Sequence, residues 1–362
     1  MAIWKIDELG EFVTLKRGYD LPQQKRKNGE IPIFSSSGVT GTHNEAMVEV
    51  PGVITGRYGT IGEVFFAETS FWPLNTTLYV EKFHENDEKF VYYFLKTLEW
   101  KKFASASAVP GINRNTVHKE IVRFPDFETQ QKIASVLSTI DKKIAVNKAI
   151  NDNLEQQAAA LFSSLYNRSN TEVRYTDLIQ ILGGGTPKTG ETAYWNGNIA
   201  FFTPKDVGTP YTFITEKTIT EEGLSHCNSR LYPVNTVFVT ARGTVGKVGL
   251  SGIPMAMNQS CYALVGKETH QLLVYFYTLK AVDRLKHKAS GAVFDAITTR
   301  DFDSEQIMKL SDDDAKAFLC VAEPMFQEML NNSIENLRLS TLRDFLLPKL
   351  MSGEIDVSSV QL

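Results

Sequence analysis

The chain has 362 residues, 43% hydrophobic, 22% charged and 11% aromatic, which is the composition of an ordinary folded protein with length enough for two cores. A net charge of −4 excludes a uniformly basic nucleic-acid binder, so any DNA-facing surface must arise by folding basic groups to one side. There is no apolar run near the roughly 20 residues that span a bilayer, no signal-peptide pattern at the start, and no paired spacing among Cys227, Cys261 and Cys320. A cytoplasmic chain with no membrane partner and with buried thiols is expected.

In chain order, the first block (1–127) carries β-rich runs GVITGRY, EVFFA and TTLYV, followed by the helical pattern EKFVYYFLKTLEWKKFA. A long helix should begin near Glu128, just past Pro125, and reach about Tyr166, near 39 residues or roughly 58 Å. Residues 128–171 hold this helix and a linker. The second block (172–310) repeats the strand signals in NTVFVTA and CYALVG and the helical one in HQLLVYFYTLKAVDRLKHKA. A second helical region and tail occupy 311–362, where 9 acidic residues outnumber 4 basic ones.

The order block, helix, block, helix is a duplication. VITGRYGTIGEV from Val53 matches VFVTARGTVGKV from Val237 at an offset of 184, and Asn75 matches Asn258 at 183. The strands IPIF and IAFF match at 168, which places about 16 extra residues of the second copy within 208–235. Steps of four and three from Ile133 trace a seam through Leu137, Ile140, Ile144, Asn147, Asn151, Leu154, Ala158, Leu161 and Leu165. Adding 185 carries it to Phe318, Ala322, Met325, Met329, Asn332, Asn336, Leu339, Arg343, Leu346 and Leu350. The expected fold is therefore α+β: two mixed α/β domains separated by two long antiparallel coiled-coil helices, with an internal pseudo-twofold repeat.

If the helices pair antiparallel, Asn147 faces Asn336 and Asn151 faces Asn332, so that each buried amide finds a partner and slipped registers are rejected. The alternative is that these amides face water or a third protein. Pro324, in the place of Thr139, should kink or restart the second helix. Arg343, in the place of Ala158, should either snorkel out or cede the seam to Leu342.

These features, with FPDFETQQKIASVLSTIDKKIAVNKAINDNLEQQAAALFSSLY after the first block and LLPKLMSGEI near the end, resemble the specificity subunit of Type I restriction-modification systems. The resemblance covers almost the entire chain. It implies that the blocks (1–127 and 172–310) are target recognition domains, each reading one half of a bipartite, asymmetric double-stranded DNA site. The helices become a ruler and a docking surface for two modification (methyltransferase) subunits and for restriction/translocase subunits. The chain itself would be non-catalytic and bind no cofactor, with S-adenosylmethionine, ATP and Mg on the partners.

The residues agree that chemistry lies elsewhere. The sequence has no Asn-Pro-Pro-Tyr or Asp-Pro-Pro-Tyr tetrapeptide and no GxGxxG turn; GGGTPKTGET resembles a phosphate loop but has Glu191 where lysine is needed. The six histidines form no metal spacing. The alternative class is a coiled-coil interaction scaffold that binds no DNA.

DNA contacts are expected from three paired segments. The first is the glycine turn, with Arg57, Tyr58 and Thr60 in one copy and Arg242, Thr244 and Lys247 in the other, where arginine suits bidentate contact with guanine. The second follows the matched strands, with Ser35, Ser36 and Ser37 against Thr203, Lys205 and Asp206. The third lies near each block's end, with Arg114 and Asn115 against Thr299 and Arg300. Asn75 and Asn258 join them as polar groups beside the turns.

Overall fold

The computed structural model describes residues 3–49, 51–105, 110–208, 210–288, 296–358 and 360. The chain divides into two units, Met1–Ala145 with Asn336–Leu362, and Val146–Glu335. The division cuts through both long helices, because each block packs on a segment of each.

In the first unit, strand Trp4–Glu8 pairs antiparallel with Ile121–Pro125 and so ties the two ends of the block together. Between them lie a four-stranded antiparallel sheet, in the order Thr14–Arg17, Thr77–Lys82, Gly52–Gly56, Val64–Ala67, and a three-stranded one of Gly38–His43, Ile31–Ser35 and Trp72–Pro73. Gly52–Gly56 is buried along its whole length, as a central strand covered on both faces must be. Helix Glu88–Thr97 starts where Asp87 accepts the Phe90 N–H at 2.8 Å. It stops before the expected end: Leu98 is extended, and the buried Trp100 indole donates to the Leu95 carbonyl at 2.8 Å, satisfying a terminal acceptor. Phe12, Phe90, Phe94 and Phe124 form the aromatic centre of this core.

The second unit repeats the plan. Thr171–Arg174 pairs with Gln306–Lys309, and a five-stranded sheet runs Ile179–Gly183, Cys261–Gly266, Val237–Thr240, Val248–Ser251, Tyr211–Thr212. The fifth strand belongs to the insertion expected over 208–235 and pairs parallel with Val248–Ser251; Thr209 lies outside the described residues. Helix Gln271–Lys288 packs into a core with Phe162, Phe318 and Phe326 from the long helices.

The first long helix is Phe127–Arg168, 42 residues, and the second is Asp312–Ser352, 41 residues. The second is not interrupted at Pro324. That residue lies on an exposed position while Phe318, Ala322, Phe326 and Met329 are buried beside it, so water can solvate the carbonyl that proline leaves unbonded and packing holds the helix together. In the first unit, Arg343 keeps the seam place: its side chain is 24% exposed and donates to Asp141 at 2.8 Å, whereas Leu342 is 46% exposed. Asp141 also accepts the Tyr93 hydroxyl at 2.6 Å, and burial pushes Tyr93 well above the usual phenol value. In the second unit, Asn332 donates to Asn151 at 3.0 Å, Asn151 donates to the Met329 carbonyl and Ser333 Oγ, both at 3.2 Å, and Asn147 donates to Glu335 at 2.6 Å. Within this unit, partners descend along one helix as they ascend along the other, the antiparallel sense.

The expectation of three buried thiols is corrected. Cys261 is buried, and its thiol is pushed up to about 12 by that burial, but Cys227 is half-buried and Cys320 exposed. Cys320 sits on the second long helix beside Pro324, outside the seam. No helix among the described residues is long and apolar enough to cross a membrane.

Candidate nucleic-acid interface

The glycine turns are the same structure twice. In the first unit Gly56 N–H donates to Glu63 O at 3.1 Å and Gly62 N–H to Gly56 O at 3.4 Å; in the second Thr240 N–H donates to Lys247 O at 3.0 Å and Gly246 N–H to Thr240 O at 2.9 Å. Gly59 and Gly62, like Gly243 and Gly246, take φ between +72° and +89°, a left-handed backbone that glycine adopts without steric cost. The N–H groups of Arg57 and Tyr58 both point to Thr76 O, and those of Ala241 and Arg242 both point to Ser260 O. Arg57 O then accepts from Ile112 N–H at 3.1 Å, and Ala241 O from Ile297 N–H at 2.9 Å.

These bonds agree with the offset of 184 read from the sequence. Arg242 stands in the place of Tyr58, and Ala241 in the place of Arg57. The bonds extend that offset past the turn, where the match of Asn75 with Asn258 is corrected by one residue. Leu74 N–H donates to Phe34 O and Asn258 N–H to Phe202 O, so Asn258 is the counterpart of Leu74, and Gln259 that of Asn75. The two asparagines share a letter but not a place in the fold.

In the first unit the turn borders an open groove of about 540 Å³, whose basic lining is Lys16, Arg17, Arg57 and Arg114. Arg57 Nε donates to Ile112 O at 3.0 Å, and its guanidinium lies over the Tyr58 ring, 4.5 Å from the centroid. Arg114 and Asn115 are exposed on the first turn of helix Arg114–His118, where the Asn113 side chain accepts the Asn115 N–H at 3.0 Å. The serine loop abuts the turn: a Cβ at Gly59 would lie 3.4 Å from Ser36 Oγ, while Ser35 Oγ bonds Ser37 Oγ at 3.0 Å. Thr60 is exposed on the turn itself. Asn75, half-buried, donates to the Asp20 carboxylate.

Lys16 and Arg17 were not anticipated. They close strand Thr14–Arg17, and only the sheet brings them to a groove built from segments about a hundred residues apart. The adjacent KR pair at the end of an alternating run was the one available signal. His118 anchors that strand: its Nε2 accepts the Leu15 N–H at 2.9 Å, and burial, helped by the charge of Arg114, holds the imidazole below its ordinary value and so in the accepting neutral form.

In the second unit Thr244 Oγ1 donates to Pro204 O at 3.0 Å, tying the glycine turn to the loop of Thr203, Lys205 and Asp206. Asp206 is a brace within that loop: one carboxylate oxygen accepts Thr203 N–H at 2.8 Å and Thr203 Oγ1 at 2.6 Å, and the other accepts Glu216 N–H at 2.8 Å. Lys205 is exposed, 3.4 Å from Glu216. Asn258 Oδ1 accepts the Ser260 N–H at 3.0 Å and shapes the turn behind Arg242. Arg242, Thr244 and Lys247 are exposed, as are Thr299 and Arg300 on a helix opened by the Thr298–Asp301 capping box. Lys286, also unanticipated, lies across Gly246, where a Cβ would meet its Cε at 2.6 Å. Among the described residues no three His, Cys, Asp or Glu side chains gather as a metal site.

Two blocks that offer one turn with different side chains, each mounted on long helical segments, define a tandem recognition protein. The chain belongs to the Type I restriction modification DNA specificity domain family, whose model matches residues 1–156 and 167–309. It is 25% identical over 345 residues to the Type I restriction enzyme HindI specificity subunit of Haemophilus influenzae, covering 72% of this chain and 75% of that one. To the EcoR124I/EcoR124II specificity subunit of Escherichia coli it is 29% identical over 204 residues, 52% of this chain and 50% of that one. The crystal structure of the S subunit of a Type I restriction-modification system from M. genitalium shares the fold, with a TM-score of 0.67 at 17% identity over 97% of this chain and 96% of that one.

Proposed function

We propose that this chain is the sequence-specific DNA-binding specificity subunit of a Type I restriction-modification complex, a non-catalytic component that tells the complex where to act. Each block reads one half of a bipartite target, through the glycine turn and the polar segments beside it. The observation that carries this reading is the duplicated turn: matching backbone hydrogen bonds hold Arg57 and Tyr58 in one copy and Ala241 and Arg242 in the other. One scaffold with two sets of side chains reads two different half-sites, so the target is asymmetric.

The long helices set the unread spacer and dock two modification subunits, to which restriction/translocase subunits add. S-adenosylmethionine, ATP and Mg belong to those partners, and the complex works in the cytoplasm where its DNA lies. The Asn151–Asn332 pair, with Asn147 and Asn336, fixes the helix register on which the spacer depends. A scaffold without DNA is separated from this reading by titrating duplex DNA at several salt concentrations. Sequence-dependent binding that weakens as salt rises supports it, and salt-insensitive or absent binding by the assembled complex refutes it.

A further inference from the structure

Resting on the DNA-reading role above, we propose that Arg57 selects a guanine in the half-site of the first block, whereas Arg242 holds phosphate and selects no base. The two arginines share a turn but not an environment. Arg57 is fixed twice, by its Nε bond to Ile112 O at 3.0 Å and by the Tyr58 ring 4.5 Å beneath its guanidinium. With Nε committed, the end bearing the two terminal nitrogens remains to face the groove, and among the described residues neither of them has a hydrogen-bond partner. Two parallel donors in a fixed plane match guanine O6 and N7 in the major groove, the commonest bidentate contact of arginine with a base.

The ring that orients Arg57 requires a particular neighbour. A Cβ at Gly111 would stand 2.1 Å from Tyr58 Cε1, so the ring lies flat on a glycine. In the second copy the bridge partner of Arg242 is Ala296, where that of Tyr58 is Gly111. The methyl group is tolerated there because no ring must pass. Arg242 is exposed and, among the described residues, its side chain has neither hydrogen bond nor ion pair. An unfixed guanidinium, on a turn that also carries exposed Lys247 and has exposed Lys286 across Gly246, supplies charge without a defined plane, which suits phosphate.

The test uses the chain assembled with its modification subunits, presented with a randomised duplex library, followed by sequencing of methylated DNA. The wild type should show a required G·C pair in one half-site. Arg57→Lys keeps the charge but not the fork, and should lower the preference for that pair by about tenfold or more, with the other half-site unchanged as the control for folding. Gly111→Ala, which displaces the ring but leaves the arginine, should relax the same position. Arg242→Ala should leave both consensus sequences intact while weakening affinity and reducing the salt slope by about one. A guanine requirement that survives Arg57→Lys, or a broadened consensus in Arg242→Ala, overturns the assignment. A wild type with specific binding but no required G·C pair also overturns it and leaves the DNA-reading role standing; a wild type without any preference overturns both.

Discussion

Substituting Asn332 by leucine tests the polar pairing between the long helices in the second unit. Asn332 is 6% exposed and Asn151 half-buried, so a leucine at 332 removes the donor 3.0 Å from Asn151 Oδ1 and leaves water little room to replace it. An unsatisfied buried acceptor costs about 1–3 kcal/mol, and the leucine recovers part of that by burying apolar surface. Changing Asn151 to leucine as well removes the stranded acceptor, while Ser333 Oγ still bonds the Met329 carbonyl at 2.7 Å, so few new polar groups are orphaned. The double variant should therefore be more stable than the two single effects sum to, by about 1–2 kcal/mol. Hydrogen exchange of peptides from 146–168 under native conditions reads the local opening free energy. Single and double effects that add within about 0.5 kcal/mol would show that the amides act independently and that the register argument is wrong.

Phe162→Ala should destabilise the second unit by about 3–5 kcal/mol, because the ring is fully buried against Phe276, Tyr277 and Phe318; thermal unfolding measures it. At the start of the first long helix, Asp126 accepts the Thr129 N–H at 3.0 Å and the Ile3 N–H at 2.9 Å, and the Thr129 bond in particular holds its carboxyl below the usual range. Asp126→Ala should cost about 1 kcal/mol at neutral pH in urea unfolding. Because the folded-state value is depressed, that stabilisation is complete above the ordinary carboxylate range and fades as pH falls through the folded value, so wild type and variant should converge in acid.

The repeat and the helices were legible because periodicity and duplication are properties of the letters themselves. A seam that returns to apolar residues every 3.5 positions needs no tertiary context, and the buried run from Ile133 to Ile144 follows it directly. The places where reading failed depend on contacts between distant segments. Pro324 argues locally for a break, yet burial on the opposite face of the helix outweighs one missing hydrogen bond. The tryptophan that ends the helix at Thr97 acts through a buried indole bond that no propensity records. Arg343 looked out of place until Asp141 and Tyr93 came beside it. The loops facing the groove were located, but Lys16, Arg17 and Lys286 were not, since each reaches its turn from another strand or helix. The one-residue error at Asn75 has the same origin: only the backbone bonds to Phe34 and Phe202 distinguish it from its neighbour.

Mapping every methylated adenine left on DNA by the reconstituted complex decides whether the two blocks read separate half-sites. One asymmetric consensus, two short unlike half-sites separated by a fixed unread gap, is the expected result. Methylation sharing no common sequence, or following a continuous or perfectly palindromic one, would contradict it.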